Sequence, residues 1–328
     1  MPEARVAPPL AAQDASRISS QAYGLEATAR TLPGEYDDNF HLRTSDSRAF
    51  VLKIMHPARE ESFVDLQSRA LTHLAQRAPH LALPRVVPTL RGELFARQKL
   101  EDSSERLVWL LSFVPGTTLA EVTPHSPELF ASLGRFLGEI DNALLDFSHP
   151  SALRELKWDL CRSSWARDYL PYVRDPMRRA LAAQFLDAAA AVDFSKLRRS
   201  VIYGDANDHN VLVSPPWPQP RQVVSIIDFG DMHLGLIVAE PAIAAAYALL
   251  TDERPLRAAA AVLAGYHAVL PLNEAEIAAF FSLLCVRLAV SVVNSAHRQS
   301  LVPDDPYVTV TEASAWAALE RLAKIHPR

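Results

Sequence analysis

The stretch from Val201 to Val213 reads Val-Ile-Tyr-Gly-Asp-Ala-Asn-Asp-His-Asn-Val-Leu-Val, and Asp228-Phe229-Gly230 follows a short apolar run further on. These residue types suit phosphoryl transfer from a nucleotide, which asks little covalent chemistry of a protein. A carboxylate must orient or deprotonate the attacking hydroxyl, and hard oxygen ligands must hold Mg²⁺ against the phosphates. Asp205 can supply the carboxylate, and Asn210 and Asp228 the oxygen ligands. Asn210 to Val213 and Val223 to Ile227 flank a turn rich in proline (Pro215, Pro216, Pro218), which predicts a β-hairpin. Its two strands would bring Asn210 and Asp228 side by side. Taken singly, each piece has a blander reading: Asp-Phe-Gly arises by chance, and acidic loop residues usually cap turns. The loop, hairpin and tripeptide in register are far rarer together.

The Asp-x-x-x-x-Asn loop followed after the next strand by Asp-Phe-Gly has the spacing of a kinase catalytic core. The segment resembles the aminoglycoside phosphotransferase and choline kinase superfamily, whose loop usually reads His-Gly-Asp-x-x-x-x-Asn; Tyr203 stands here where the His would be. Within it, Tyr-Gly-Asp-Ala-Asn-Asp-His-Asn and Ile-Asp-Phe-Gly-Asp-Met-His-Leu-Gly are most similar to hydroxylysine kinases and to kinase-like domains fused to class III aminotransferases. The resemblance implies an α+β, two-lobed protein-kinase-like fold. Residues 1–115 would form a nucleotide-binding lobe with a five-stranded antiparallel sheet, and residues 116–328 a larger, mainly helical lobe with the catalytic hairpin and substrate site.

The elements needed to hold such a site can be traced along the chain. Residues 1–12 read as a tail, and Ala12 to Tyr23 has helical periodicity, with Asp14 as its N-cap and Gly24 as its stop. Glu26 to Leu32, Asn39 to Thr44 and Arg48 to Ile54 read as three strands, Glu60 to Arg77 as a helix, Pro79 to Leu90 as a connector, and Glu93 to Leu100 and Arg106 to Val114 as two further strands meeting at residues 101–104. Lys53 is a lone cation near the end of an apolar strand. The resemblance implies that it reaches the nucleotide phosphates; the plainer reading is a lysine that snorkels. Gly34 is the sole glycine of the expected phosphate loop, and Gln67 stands where a carboxylate paired to Lys53 is expected, with Glu60 and Glu61 as weaker substitutes. Ser112 to Gly116 resembles the family hinge, so backbone groups of Ser112 and Val114 would face the purine.

Further on, helices are expected at Ser126 to Asp146, Trp158 to about Val173, Pro176 to Val192, Glu240 to Leu250, Pro255 to Val269, Glu274 to Arg298 and Val310 to Ile325. Asp159 is an N-cap or a substrate ligand. Glu240 fills the place of a family acidic residue near the active-site mouth. Arg287, Ser291, Asn294 and Arg298 share one face of an apolar helix, so Arg287 needs a carboxylate: Glu240, Asp159 or that of a bound amino acid. Asp208, Asp231 and Glu240 are the candidates for a substrate ammonium.

With 328 residues, 49% hydrophobic and 22% charged, the chain can bury a large core. A net charge of −5 gives no general attraction to nucleic acid or anionic membrane. Ile277 to Val293 is interrupted by Arg287 and reads as a buried helix, not a membrane span. The N-terminus lacks a signal peptide's apolar core, and Cys161 and Cys285 read as buried thiols, so a cytoplasmic protein is expected; the oligomeric state stays open. The expected reaction moves the γ-phosphoryl of ATP or GTP, with Mg²⁺, onto the hydroxyl of an amino alcohol or hydroxy amino acid. By resemblance 5-hydroxylysine comes first, with homoserine, choline-like alcohols and aminoglycosides behind it. The rival reading is a catalytically weak nucleotide-binding module that works with an aminotransferase. A protein kinase is disfavoured because no Ala-Pro-Glu follows Asp228-Phe229-Gly230.

Overall fold

The computed structural model describes residues 9–34, 36–100, 104–251, 255–302 and 312–325. The chain divides into two compact units, one ending at Pro115 and one beginning at Gly116. In the first unit, α1 (Ala12–Tyr23) precedes β1 (Ala27–Leu32), β2 (Asp38–Thr44) and β3 (Ala49–Ile54), then α2 (Glu61–Arg77), β4 (Val86–Val87), β5 (Ala96–Lys99) and β6 (Glu105–Ser112). Residues 1–8 of the expected tail and 101–103 of the expected turn lie outside the described residues.

The strands form because apolar side chains alternate. Phe40 and Leu42 of β2 and Leu52 and Ile54 of β3 point inward and are fully buried, together with Ile18 of α1 and Val108 and Leu110 of β6. The sheet order is β1-β2-β3-β6-β4, all antiparallel, with β5 pairing further along the same edge of β6 as β4. Five strand positions are thus filled by six strands. The extra one, β4, comes from the stretch read as a connector: its prolines fall on either side of Val86 and Val87, leaving both free to pair. Asp14 is not the N-cap of α1. It sits one turn inside, and its Oδ2 accepts from the Ala11 backbone N–H at 3.2 Å.

In the second unit β7 (Thr117–Thr118) leads to α3 (Pro127–Leu144), α4 (Ala166–Tyr169), α5 (Pro176–Ala190), β8 (Arg199–Ile202), β9 (Val211–Val213), β10 (Val223–Ile226), β11 (His233–Leu236), α6 (Ala239–Ala248), α7 (Pro255–His267), α8 (Glu274–Leu301) and α9 (Glu312–Leu322). Ser126 caps α3, its hydroxyl accepting from Leu129 N at 3.2 Å, and Pro127 occupies the first turn, where a missing N–H does no harm. Glycine lets α3 and α7 approach closely: a Cβ at Gly134 would come within 2.0 Å of Val262 O, and one at Gly265 within 2.1 Å of Ala131 O.

Two expectations differ from the structure here. The helix expected from Trp158 to Val173 is broken into a 3-10 segment (Leu160–Trp165), the single turn α4 and another 3-10 segment (Leu170–Tyr172). Arg162 departs from helical geometry at φ −113°, and Pro171 has no N–H to continue a helix past Tyr169. Strand β11 was not foreseen; it pairs antiparallel with β8, His233 opposite Ile202, and contains Gly235, a residue that weakens any strand signal. The last helix is described from Glu312, so Val310 and Thr311 of the expected span lie outside the described residues.

Helix α8 is apolar enough, by length and composition, to cross a membrane, yet 72% of its most apolar window is buried inside the protein. It is a core helix, capped by Asn273, whose Oδ1 accepts from Glu276 N at 2.9 Å.

Candidate active site

Strand β8 delivers the chain into the loop from Tyr203 to Asn210. Gly204 turns it at φ +78°, a conformation that favours glycine, and a Cβ there would approach Asp231 O to 3.1 Å. Asp205 follows, half-buried. Its Oδ2 accepts from Asn207 Nδ2 at 3.0 Å and Asn210 Nδ2 at 2.8 Å. Asn207 Oδ1 in turn accepts from the backbone N–H groups of His209 and Asn210 at 2.9 and 3.2 Å, so the loop is tied through its own side chains.

The next strand pair is the hairpin expected from the sequence. β9 and β10 run antiparallel, Ile226 opposite Val211, and Ile227 N donates to Asn210 O at 2.9 Å. That bond sets Asn210 beside the residue following Ile227, which is Asp228. Asp228 sits at φ +58°, uncommon for a residue with a Cβ, and its Oδ1 accepts from Gly230 N at 3.2 Å. A left-handed residue held at the end of a strand is the kind of local strain that clusters at functional sites.

The residues present fit a Mg²⁺ site. The Asn210 amide nitrogen faces Asp205, donating to both its Oδ2 and its backbone oxygen (3.2 Å), so the carbonyl oxygen is the end left for a cation. With the Asp228 carboxylate this offers two hard oxygen ligands, which suits an ion that keeps several waters and takes one or two protein groups. Among the described residues no cluster of three or more His, Cys, Asp or Glu side chains forms a denser metal centre.

A set of buried groups from distant segments supports this loop. Tyr203, in the place of the family's His, is fully buried; its hydroxyl donates to Ile227 O at 2.6 Å, and its ring meets Phe229 edge-on at 5.1 Å. It therefore links the Asp205 loop to the Asp228 turn directly. Glu240, expected at the site's mouth, is instead fully buried at the start of α6, where Oε2 accepts from Gly204 N at 2.8 Å. Burial pushes its carboxyl up to about 7, against the pull of backbone N–H groups of Gly204 and Tyr203. Nearby, Tyr266 OH donates to Asp141 Oδ2 at 2.5 Å; burial, and then the neighbouring Glu240 carboxylate, raise Asp141 as well. Arg154 donates to the backbone oxygens of Gly230 and Met232, the latter at 2.8 Å.

Arg287 pairs with neither Glu240 nor Asp159. Its Nη2 lies 3.4 Å from Asp205 Oδ1 and 3.0 Å from Tyr247 OH, and its guanidinium packs against Trp158 at 4.6 Å and Tyr247 at 5.4 Å. Burial, and then the Asp231 carboxylate, raise Asp205 well above the usual carboxylate range, while Arg287 opposes that rise. Asp159 caps the 3-10 segment through Cys161 N (3.0 Å) and lies 3.5 Å from Arg162 Nε, while His233 Nε2 stands 3.8 Å away. That is the N-cap reading of Asp159. Asp208 is half-buried and its backbone oxygen accepts from Ala120 N at 3.0 Å. Asp231 is half-buried too, its backbone oxygen accepting from His233 Nδ1 at 2.9 Å.

In the first unit, Lys53 is half-buried on β3, opposite Asn39 on β2 and Trp109 on β6, with its ammonium 5.9 Å from the Trp109 ring. Gln67 donates Nε2 to Phe63 O at 3.0 Å within its own helix, and Glu61 pairs with Arg97. Gly34 is required by close packing: a Cβ there would meet Asp37 O at 2.4 Å and Asn39 Nδ2 at 2.6 Å. Ser112 gives its backbone N–H to Arg85 O at 2.8 Å and receives Arg85 N on its hydroxyl at 2.9 Å. Sequence reasoning missed Arg154, Trp158 and Tyr247 as site residues. None lies in a motif, and each arrives by tertiary contact.

A model of the phosphotransferase enzyme family matches residues 28–325. The hydroxylysine kinase of Danio rerio is 30% identical over 330 residues, covering 96% of this chain and 92% of that protein. Among solved structures, an amicoumacin kinase in complex with AMP-PNP, Ca²⁺ and its ligand superposes with a TM-score of 0.71 at 15% identity, over 94% of this chain and 93% of that one. A microcompartment-associated aminopropanol kinase follows at 0.66 and 17%, over 95% and 97%. These two structural likenesses establish the kinase-like α+β fold.

Proposed function

The chain belongs to the phosphotransferase enzyme family, and from that premise we propose that it transfers the γ-phosphoryl of a nucleoside triphosphate to the hydroxyl of a hydroxy amino acid or amino alcohol. The similarity to a hydroxylysine kinase over nearly the whole chain makes 5-hydroxylysine the first acceptor to test, with ATP and GTP both to be tried as donor. Homoserine, choline-like alcohols and aminoglycosides come next. The nucleotide falls to the unit ending at Pro115, through Lys53 at the phosphates and the segment at Val114 at the base. The acceptor falls to the unit beginning at Gly116.

The observation that carries the reading is the orientation of Asn210. By giving its amide nitrogen to Asp205 it fixes the carboxylate and keeps its own oxygen away from that contact, as the end that would meet a cation. One side chain thus couples the group that receives the hydroxyl proton to the group that holds a cation. Asp205 Oδ2 already accepts two amide hydrogens, whereas Oδ1 has only the long contact to Arg287, so Oδ1 is the atom that accepts from the acceptor hydroxyl. Asn210 and Asp228 hold Mg²⁺, which neutralises charge on the phosphates when bound. Tyr203 and Glu240 keep the two turns in register without touching the reactants.

The test is nucleoside diphosphate release from ATP and GTP with Mg²⁺, across 5-hydroxylysine, homoserine, choline, ethanolamine and kanamycin. Turnover with one amino alcohol or hydroxy amino acid is expected. A silent panel from protein that still binds nucleotide would sink the reading in favour of a binding module that partners another enzyme.

A further inference from the structure

A cavity of about 250 Å³ lies in the second unit, walled by the 3-10 turn Pro150–Leu153, the 3-10 segment Leu160–Trp165 and the paired strands β8 and β11. That is far above the ~15 Å³ that admits one water. Its lining holds three guanidinium groups, Arg154, Arg162 and Arg199, and one carboxylate, Asp159. Two of the arginines are already fixed. Arg154 donates to the backbone oxygens of Gly230 and Met232, and Arg162 lies 3.0 Å from Glu155 Oε1 and 3.5 Å from Asp159 Oδ2. Arg199, at the start of β8, is exposed, and among the described residues its side chain meets only the Cys161 sulfur, at 3.5 Å. No further negative charge offsets them. Burial, and then the Asp159 carboxylate, push the Cys161 thiol up to about 12, so the sulfur stays neutral. Glu155 is 90% exposed, where water screens it. His233, 3.8 Å from Asp159, is lowered by burial and is neutral too. A single exposed arginine is ordinarily just solvated. Three lining one electropositive cavity against one carboxylate match a phosphoryl group, which carries about −1.5 to −2 at pH 7 on three acceptor oxygens, better than a singly charged carboxylate.

We propose that this cavity is a second anion site that binds the phosphoryl group of inorganic phosphate or of a small phosphate ester, with Arg199 as its main ligand. It is separate from the catalytic centre, since neither Asp205, Asn210 nor Asp228 lines it. Arg154 and Arg162 supply positive charge already held in place, so little side-chain freedom is lost there on binding. Ala152, Leu153 and Leu234 give an apolar wall for a short organic chain. No covalent change occurs.

The experiment titrates glycerol 3-phosphate, inorganic phosphate and glycerol into the wild type by calorimetry, in EDTA and at constant ionic strength, and repeats this in Arg199→Met, Arg199→Lys and Lys53→Ala. Glycerol 3-phosphate should bind and glycerol should not. Arg199→Met should weaken that binding ~10-fold or more, and Arg199→Lys less, because it keeps the charge and loses the planar fork. Lys53→Ala should bind as the wild type does. No binding to the wild type, or equal affinity in wild type and Arg199→Met, would overturn the site. So would a loss in Lys53→Ala, which would put the phosphoryl group at the nucleotide's ligands. Because Arg199 is exposed, Arg199→Met should melt with the wild type when no ligand is present; where it does not, the loss in Arg199→Lys decides. Inorganic phosphate binding as tightly as the ester would keep the site and make the free ion its occupant, whereas tighter binding of the ester would assign its chain to the apolar wall. Turnover plays no part in the readout, so failure here leaves the phosphotransfer reading standing.

Discussion

Lys53 and Asp205 are held in opposite ways. Lys53 lies in the middle of a sheet, fixed by β2 just before it in the chain and by β6, which returns after α2, β4 and β5, and its supports are backbone pairs and apolar neighbours such as Leu52, Ile54 and Val108. Asp205 lies on a loop held by polar contacts to segments far along the chain: Glu240 accepts from Gly204, Arg287 lies against Asp205 itself, and the loop's own Tyr203 donates to Ile227. A sheet position tolerates loss of a side chain because its ladder remains. A loop position depends on the side chains that replace a ladder, and buried polar groups are costly when one partner goes. Asp205 is therefore the more fragile of the two, and its surroundings should be the more sensitive to pH.

The largest expected effect is on chemistry. Asp205→Asn should lower kcat by ~10³-fold, about 4 kcal/mol of transition-state stabilisation, with nucleotide affinity little changed. Near-normal turnover would take the proton-accepting role away from Asp205.

Next comes the pH dependence of stability set by Glu240. Its carboxyl is raised to about 7 in the fold from an ordinary value of 4.5, so the folded state holds its proton more tightly than the unfolded state does. The contribution of the protonated form is fully present below the unfolded value and is lost as pH rises towards 7, amounting to ~3 kcal/mol above that. Glu240→Gln keeps an oxygen for Gly204 N and cannot ionise. Its melting temperature should therefore gain on the wild type between about pH 4.5 and 7. Parallel curves would mean that the carboxylate is paired well enough to ionise without penalty, and the contrast with the sheet would weaken.

Tyr203→Phe removes one buried hydrogen bond and leaves Ile227 O without it, so a loss of about 2 kcal/mol in urea unfolding is expected, together with a lower kcat as the Asp228 turn loosens. An unchanged midpoint would assign the link to ring packing alone. The smallest effect is expected in the sheet. Lys53→Ala should weaken nucleotide binding ~10-fold, about 1.4 kcal/mol, while kcat at saturating nucleotide moves less than in Tyr203→Phe. Unchanged nucleotide affinity would return Lys53 to a snorkelling side chain.

Much of this molecule could be read from local pattern. The strands around Lys53 follow from alternation, α3 from its Ser126 cap and apolar face, and the hairpin from two β-branched runs across a proline turn, because in each case the determinants lie within a few residues of one another. The Asp205, Asn210 and Asp228 set was legible for the same reason. Its spacing is fixed by one loop and one hairpin. The segment around Arg162 breaks where helical periodicity predicts one helix, because Pro171 cannot continue it, and β11 leaves almost no trace in the sequence because it is a four-residue strand with a glycine.

By itself, then, the sequence determined the elements and the catalytic constellation, since secondary structure and short turns are set by neighbours in the chain. Only the tertiary structure decided that Glu240 lies buried against Gly204 and not at the mouth of the site, that Tyr203 joins two turns, and that Arg287 faces Asp205. The physical reason is that a buried charge or phenol takes whichever partner the packing of remote helices brings within about 3 Å, and no spacing along the chain encodes that choice.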